Sequence, residues 1–501
     1  MNYISTRGGS QPISSAEAII KGIADDGGLF VPEEIPQIPR NFINNMIKAD
    51  YELRAENVLG LYLTDFDETD IATCVMRAYG DGKFDSSYRV QLKLIGNYES
   101  FNVLELWHGP TSAFKDMALQ LLPHLLNKSL KKMNEKHEIM ILVATSGDTG
   151  KAALAGFANV KHVKIFVFYP AGGVSQIQRL QMVTQVGKNV EVIGVHGNFD
   201  DTQNGVKEIF NDREFNAKIE SLGFKLSSAN SINWGRLVPQ IVYYFSAYAD
   251  LLARQKIQAG EKINFCVPTG NFGDILAAYY AKKMGLPINR LICASNQNDV
   301  LTEFFKTGKY NRKREFFKTV SPSMDILISS NLERLLYHET QDPERVKKFM
   351  SDLSENGEYD IGSELLEQLN SIFWAEFASE DETLKTIKKV FDEHQYLIDT
   401  HTAVAWNVAE KYQAATNDKS EMVVVSTASP YKFASSVLKS LGRYMNDMNE
   451  FQMIDRLHEI SHMQIPQNFV ELKTARELHT KICDKNEMKN LVEKFAVSEN
   501  S

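Results

Sequence analysis

Cysteine is scarce: four residues, Cys74, Cys266, Cys293 and Cys483, in a chain of 501, with no C-x-x-C pair. That excludes a disulfide framework and a thiolate zinc site, and it fits a reducing compartment. Two of the four lie inside apolar runs and read as small core residues. No stretch approaches the ~18 consecutive apolar residues of a membrane helix. The first residues carry neither an apolar signal core nor transit-peptide character, so a cytoplasmic protein with no membrane partner is expected. Basic excess is lacking as well. With 64 acidic against 55 basic residues, net charge is −9, which argues against nucleic acid as a partner. The single dense basic stretch, Lys306 to Lys318, reads as a solvated loop or helix face. Internal repeats and low-complexity tracts are absent, and no metal site is expected.

What remains is ordinary soluble-protein material: 43% hydrophobic and 24% charged residues, enough for several domains. Residues 1–90 form an N-terminal, helix-rich block, with helical patterns over 42–63 and 69–79 and a break at Gly80-Asp81-Gly82. From about 100 to 300 the chain alternates strand, loop and helix. Its strands, such as Ile139–Thr145, Lys164–Tyr169 and Ile263–Pro268, are apolar throughout, as in a parallel sheet covered on both faces. Helices are expected over 116–130 and 237–254. Residues 340–420 read as charged helix, and Met422–Thr427 as a returning strand. The class is α/β. A catalytic core over 91–435, with a smaller subdomain near 138–235 inserted in it, would be followed by a helical segment over 436–501.

Three loops stand at the C-terminal ends of predicted strands, where open parallel sheets bind ligands. Thr269-Gly270-Asn271-Phe272-Gly273-Asp274 joins a strand to a helix, so backbone N–H groups and a helix start can face an anion. It is not a Walker loop, since no Lys-Ser or Lys-Thr follows. As a bare spacing it is also what a plain connector looks like. Thr145-Ser146-Gly147-Asp148-Thr149-Gly150 is similarly placed, and its hydroxyls suit either an anion site or an N-cap. In His108-Gly109-Pro110-Thr111-Ser112-Ala113-Phe114-Lys115-Asp116 a lysine stands at the mouth of a helix. Helix-end charge and burial beside Phe114 would both lower its pKa, as an imine-forming lysine requires. Two anion cradles and one such lysine suit a phosphorylated aldehyde cofactor.

These stretches, with Tyr3–Gly8, Asp26–Pro32, Phe199–Gln203, Ser227–Leu237 and Ser321–Ser330, resemble the threonine synthase family. Its members are tryptophan-synthase-β-like, fold type II pyridoxal-phosphate enzymes. The resemblance implies two α/β subdomains with mostly parallel sheets around a pyridoxal 5'-phosphate cleft. It further implies conversion of O-phospho-L-homoserine and water to L-threonine and phosphate, by a monomer or homodimer. Lys115 would be the imine lysine, Gly270, Asn271, Phe272, Gly273 and Asp274 the cofactor phosphate cradle, and Thr427 the hydroxyl against the pyridine nitrogen. Ser146, Asp148 and Thr149 would face the substrate carboxylate or the cofactor 3-hydroxyl. Asn233 and Arg236 are candidates for the departing phosphate, or else cap the following helix and fix a domain seam. Lys151 is a weaker candidate. The chain departs from the family at Ser429, where a histidine is usual, at Lys151, and in the run Gly173-Val174-Ser175-Gln176. A related phospholyase acting on another phosphorylated amino alcohol is the alternative.

Overall fold

The computed structural model describes residues 1–80, 82–85, 89–96, 101–145 and 147–497. Two sheets dominate. The larger runs in the order Phe373–Phe377, Ile288–Ser295, Ile263–Pro268, Met422–Ser426, Asn102–Glu105, Gln91–Leu94, parallel except for the last pairing. The smaller runs Ile482–Cys483, Val190–Val195, Val163–Pro170, Glu138–Ala144, Phe224–Ser227 and is parallel throughout. Every residue of Val163–Pro170 and Ile263–Pro268 is buried, because helices cover both faces. This is why those strands carry no polar alternation.

Helix Trp234–Ala253 is buried on nearly all sides and forms the spine of the large subdomain. Against it packs N-terminal helix Tyr51–Tyr62, tied by Arg54 to Asp250 at 2.7 Å. The Trp234 ring meets Tyr3 at 5.2 Å, Tyr62 at 5.4 Å and Tyr280 at 5.4 Å. The N-terminal block therefore shares one core with the catalytic body.

Some expectations need correcting. The helical pattern over 42–63 is two helices, Phe42–Met46 and Tyr51–Tyr62; Asp50 accepts from the Leu53 N–H at 2.8 Å and starts the second. The helix expected over 116–130 is likewise two, Lys115–Leu119 and Leu122–Lys132. Pro123 lacks an N–H, and its ring opposes the carbonyl four residues back. Within the charged region 340–420 lies Phe373–Phe377, an edge strand of the large sheet. The segment 436–501 is not only helical. It returns to the small sheet as strand Ile482–Cys483, and Lys164 Nζ donates to the Phe495 carbonyl at 2.9 Å near the end of helix Met488–Val497. Among the described residues, no helix is long and apolar enough to cross a membrane.

The subdomains meet where helix Asp148–Phe157 of the smaller one crosses helix Lys115–Leu119 of the larger. A Cβ at Gly156 would stand 1.9 Å from the Leu119 carbonyl oxygen, so this seam needs glycine. Gly156→Ala should force the helices apart at a cost of about 1–3 kcal/mol. Calorimetry should show a lower thermal midpoint; an unchanged one would refute the tight seam.

Candidate active site

The strands' C-terminal ends converge on a cavity of about 530 Å³ between the subdomains. Lys115, Thr149, Arg236 and Thr427 lie on its wall, as do all of Gly270 to Asp274. Asp148 stands directly behind Lys115, carboxylate to Nζ at 3.8 Å. Ser146 lies outside the described residues. Asn233 is not on the wall. Its Nδ2 donates to the Ile19 carbonyl at 2.9 Å and its Oδ1 accepts from the Gly235 N–H at 2.8 Å. Both ends of that amide are thus committed to the helix cap and the seam with the N-terminal block.

Lys115 opens its helix with Nζ 3.5 Å from Ser323 Oγ and 5.4 Å from the centre of the Phe114 ring. Burial is the main influence lowering its ammonium pKa; Asp148 opposes the fall, while Lys432 and Arg236 add to it. Burial thus does most of what the helix end was expected to do, since the Lys115–Leu119 helix has only five residues.

The surrounding motif is a self-capped loop. The Asp116 carboxylate accepts from the Thr111 N–H at 2.8 Å and hydroxyl at 2.7 Å, and a Cβ at Gly109 would stand 2.6 Å from Asp116. The Thr427 carbonyl accepts from the Phe114 N–H at 2.8 Å, and Ala113 bridges to Ala428. These bonds put the Thr427 hydroxyl and the Lys115 amine on one wall. His108 faces away, between Asp85 at 2.9 Å and Glu105 at 2.8 Å. Burial disfavours its charge, but the two carboxylates prevail and lift its pKa to about 9.

In the glycine loop, the N–H groups of Gly270, Asn271 and Phe272 have no acceptor among the described residues. The loop runs into helix Gly273–Lys283, so it presents unpaired donors at a helix start. Phe272 adopts φ 66°, held by packing of its buried ring on Phe305 and Phe373. Gly270 is required because a Cβ would lie 2.9 Å from the Ser323 carbonyl oxygen. Asn271 Nδ2 donates to Ser231 Oγ at 2.7 Å. The Asp274 carboxylate turns to the Tyr243 and Tyr244 hydroxyls, at 2.5 and 2.6 Å. Burial raises its pKa to about 6, although both hydroxyls pull the other way. The Asp274 carboxylate is therefore committed to the two tyrosines, and only its backbone is offered to the cavity at the helix start.

Arg236 is 4% exposed, and among the described residues no carboxylate lies within 4 Å. One Nη donates to the Ala229 carbonyl at 2.8 Å, while Nε has no partner. Burial lowers its pKa to about 10. A buried guanidinium without a carboxylate partner is able to pair with an anion entering the cavity. Lys151 points elsewhere, donating to Gln185 at 2.8 Å. Ser429 is off the wall too; its Oγ accepts from the Tyr431 N–H at 3.4 Å and caps the turn Pro430–Phe433. The missing histidine therefore leaves a turn cap, not a gap in the cavity.

Among the wall residues given no role from the sequence are Ser323 and His401. Ser323 reaches Lys115, and His401 holds Ser323 by accepting its N–H at Nε2, at 3.1 Å. That bond fixes the tautomer, so Nδ1–H donates to Asp399 at 3.0 Å. Asp399 before Thr400 is a recognisable N-cap, but nothing local marks the histidine one residue later as a neighbour of Ser323.

The descriptions "Threonine synthase N terminus", "Pyridoxal-phosphate dependent enzyme" and "Threonine synthase, C-terminal" match residues 2–79, 101–428 and 402–492. The chain belongs to the threonine synthase family. It is 38% identical to the threonine synthase of Saccharomyces cerevisiae, over 94% of this chain and 95% of that one. With the Schizosaccharomyces pombe threonine synthase, identity is 40% over 89% of this chain and 90% of the relative. Human threonine synthase-like 1 is 41% identical over 85% of this chain but 58% of its own length. Two crystal structures superpose closely. The pyridoxal-phosphate-bound threonine synthase of Brucella melitensis has TM-score 0.88 and 36% identity, covering 99% of this chain and all of that one. The yeast enzyme has TM-score 0.89 and 37% identity, covering 99% and 98%. The chain is thus a pyridoxal-phosphate-dependent lyase of fold type II. The residues present fit that cofactor: a half-buried lysine, a loop of unpaired N–H groups and a hydroxyl at Thr427.

One consequence concerns pH. His108 has a folded pKa above its unfolded value near 6.5, so its contribution is complete below about pH 6.5 and disappears as pH rises through about 9. Denaturant titrations should show the stability difference between wild type and His108→Gln shrinking across that window. A constant difference would exclude a charged bridge.

Proposed function

We propose that the chain is a threonine synthase, converting O-phospho-L-homoserine and water to L-threonine and phosphate. The observation that carries this reading is the presence, on one cavity wall, of the half-buried Lys115 amine and the Arg236 guanidinium, whose Nε has no hydrogen-bond partner. When bound, the cofactor supplies an aldehyde that links to an amine and a conjugated ring that draws electrons from the adjacent carbon. Lys115 would provide the linking amine. The N–H groups of Gly270, Asn271 and Phe272, with the helix start at Gly273 and Asp274, would hold its phosphate. Thr427 would meet the pyridine nitrogen through a neutral hydroxyl, which does not force ring protonation as a carboxylate would.

Lys115 Nζ, whose pKa burial lowers, takes protons from substrate Cα and then Cβ. As water gives its hydroxyl to Cβ, protons return to Cγ, which becomes the methyl group, and to Cα, while water's other proton goes to the phosphate. Ser323 Oγ orients that amine. Arg236 receives the phosphate leaving Cγ, its planar fork matching the dianion. We assign the substrate carboxylate to Thr149 and the start of helix Asp148–Phe157. The carboxylate of Asp148 would repel it, and is turned instead to Lys115 and Lys432.

Purified protein given O-phospho-L-homoserine should release phosphate and threonine in equal amounts, and Lys115→Ala should release neither. Arg236→Met should raise KM at least about tenfold, given the ~1.5–3 kcal/mol of a charged hydrogen bond. Phosphate without threonine would instead indicate a phospholyase; turnover of O-phosphothreonine in its place would do the same.

A further inference from the structure

Lys115 and Asp148 present a difficulty that a third residue resolves. An amine that must attack an aldehyde, and later take protons, has to be free of its own. A buried lysine beside a carboxylate ordinarily keeps its proton, because the ion pair is worth most away from water. Asp148 is the one carboxylate among the described residues within 4 Å of Lys115 Nζ, at 3.8 Å. Its side chain is 9% exposed. Left alone, these two would form such a pair.

Lys432 intervenes. Its side chain is 2% exposed, and its Nζ lies 2.8 Å from the other Asp148 oxygen, Oδ1. The same Nζ donates to the Thr111 carbonyl at 2.9 Å, which anchors it to the loop bearing Lys115. Asp148 belongs to the small subdomain and Lys432 to the turn after strand Met422–Ser426 of the large one. The carboxylate is therefore shared unequally: a short contact to Lys432 and a longer one to Lys115. Burial alone would raise the Asp148 carboxyl, but Lys432 first and Lys115 second hold it well below the ordinary range. It stays charged, and its charge is directed to Lys432.

We propose that Lys432 is a positioning residue for the reaction: it takes up the Asp148 carboxylate, so that Lys115 is left a free amine. This rests on the role given to Lys115 above and adds the group that makes the role possible. The other groups facing Lys115 are Arg236 from helix Trp234–Ala253, Ser323 from the turn Pro322–Met324, and Asp116 of its own helix. His401, from helix Thr400–Thr416, is committed to the Ser323 N–H and to Asp399. Arg236 is a cation, and its effect on Lys115 has the same sign as that of Lys432 but reaches no carboxylate. Asp116 is committed to Thr111. Lys432 alone both repels a proton on Lys115 and occupies its counterion.

The test reads the amine itself. Full-length protein freed of cofactor is mixed with pyridoxal 5'-phosphate, and the rate at which Lys115 adds to the aldehyde and loses water is followed by visible absorbance against pH. This readout does not depend on which substrate the enzyme turns over, so it can fail separately from the proposed reaction. In Lys432→Met the midpoint of the rate profile should move up by about one pH unit or more, making capture at least about tenfold slower at neutral pH. Lys432→Arg should restore it. Asp148→Asn should move the midpoint the other way, and it serves as the test if Lys432→Met does not fold. An unmoved midpoint in Lys432→Met, an equal shift in Lys432→Arg, or an upward or absent shift in Asp148→Asn would each overturn the proposal.

Discussion

Burying the Lys115 amine is the constraint on which the rest of the site depends. An amine in water near neutral pH is an ammonium and cannot attack an aldehyde. Shielding most of it from water takes more than one layer of structure. The helix seam closes one side, and it closes only because Gly156 lets the Leu119 carbonyl approach. The turn carrying Ser323 closes another, and it closes only because Gly270 leaves room for the Ser323 carbonyl. His401 and Asp399 hold that turn from below. The two glycines thus have a common purpose: each lets backbone come near enough to exclude water from the cavity wall.

Much of this was legible in the chain. Parallel strands buried on both faces leave continuous apolar runs, so the α/β class and most core strands could be read directly. The three loops announced themselves because glycine, proline and small hydroxyl residues are demanded by local backbone geometry, which is a short-range property. Strands that escaped, among them Phe373–Phe377, Phe224–Ser227, Gln91–Leu94 and Ile482–Cys483, lie at sheet edges. There one side faces solvent, the apolar signal thins, and a five-residue strand among charged helices looks like helix. Asn233 shows a further limit. A cap and a ligand both call for the same amide, and only the positions of Ile19 and Gly235 decide between them.

Contacts between distant parts of the chain were the least legible. His108 with Asp85, His401 with Ser323, and Lys432 with Asp148 join segments 23, 78 and 284 residues apart. No local periodicity records such pairings. The family resemblance carried the cofactor and the lysine, since those sit inside unbroken motifs. It gave no account of the substitution at Ser429, which looks serious beside a pyridine ring and becomes minor once the side chain is seen capping a turn.

Arg236 states the energetic logic of the cavity most clearly. Other buried arginines here have conventional partners: Arg54 has Asp250, and Arg334 is wrapped by Asn331 and the Phe30 and Ile232 carbonyls. Arg236 has one carbonyl and an empty Nε. A guanidinium taken out of water without a counterion destabilises the fold by several kcal/mol. That deficit closes when an anion enters, and it opens again when the anion leaves. A phosphate monoester is already a dianion near neutral pH, but as the Cγ–O bond breaks the bridging oxygen takes both bonding electrons, and negative charge builds on the departing group until a proton reaches it. The cation therefore binds the leaving group more strongly than the substrate it came from, which is the direction that favours elimination.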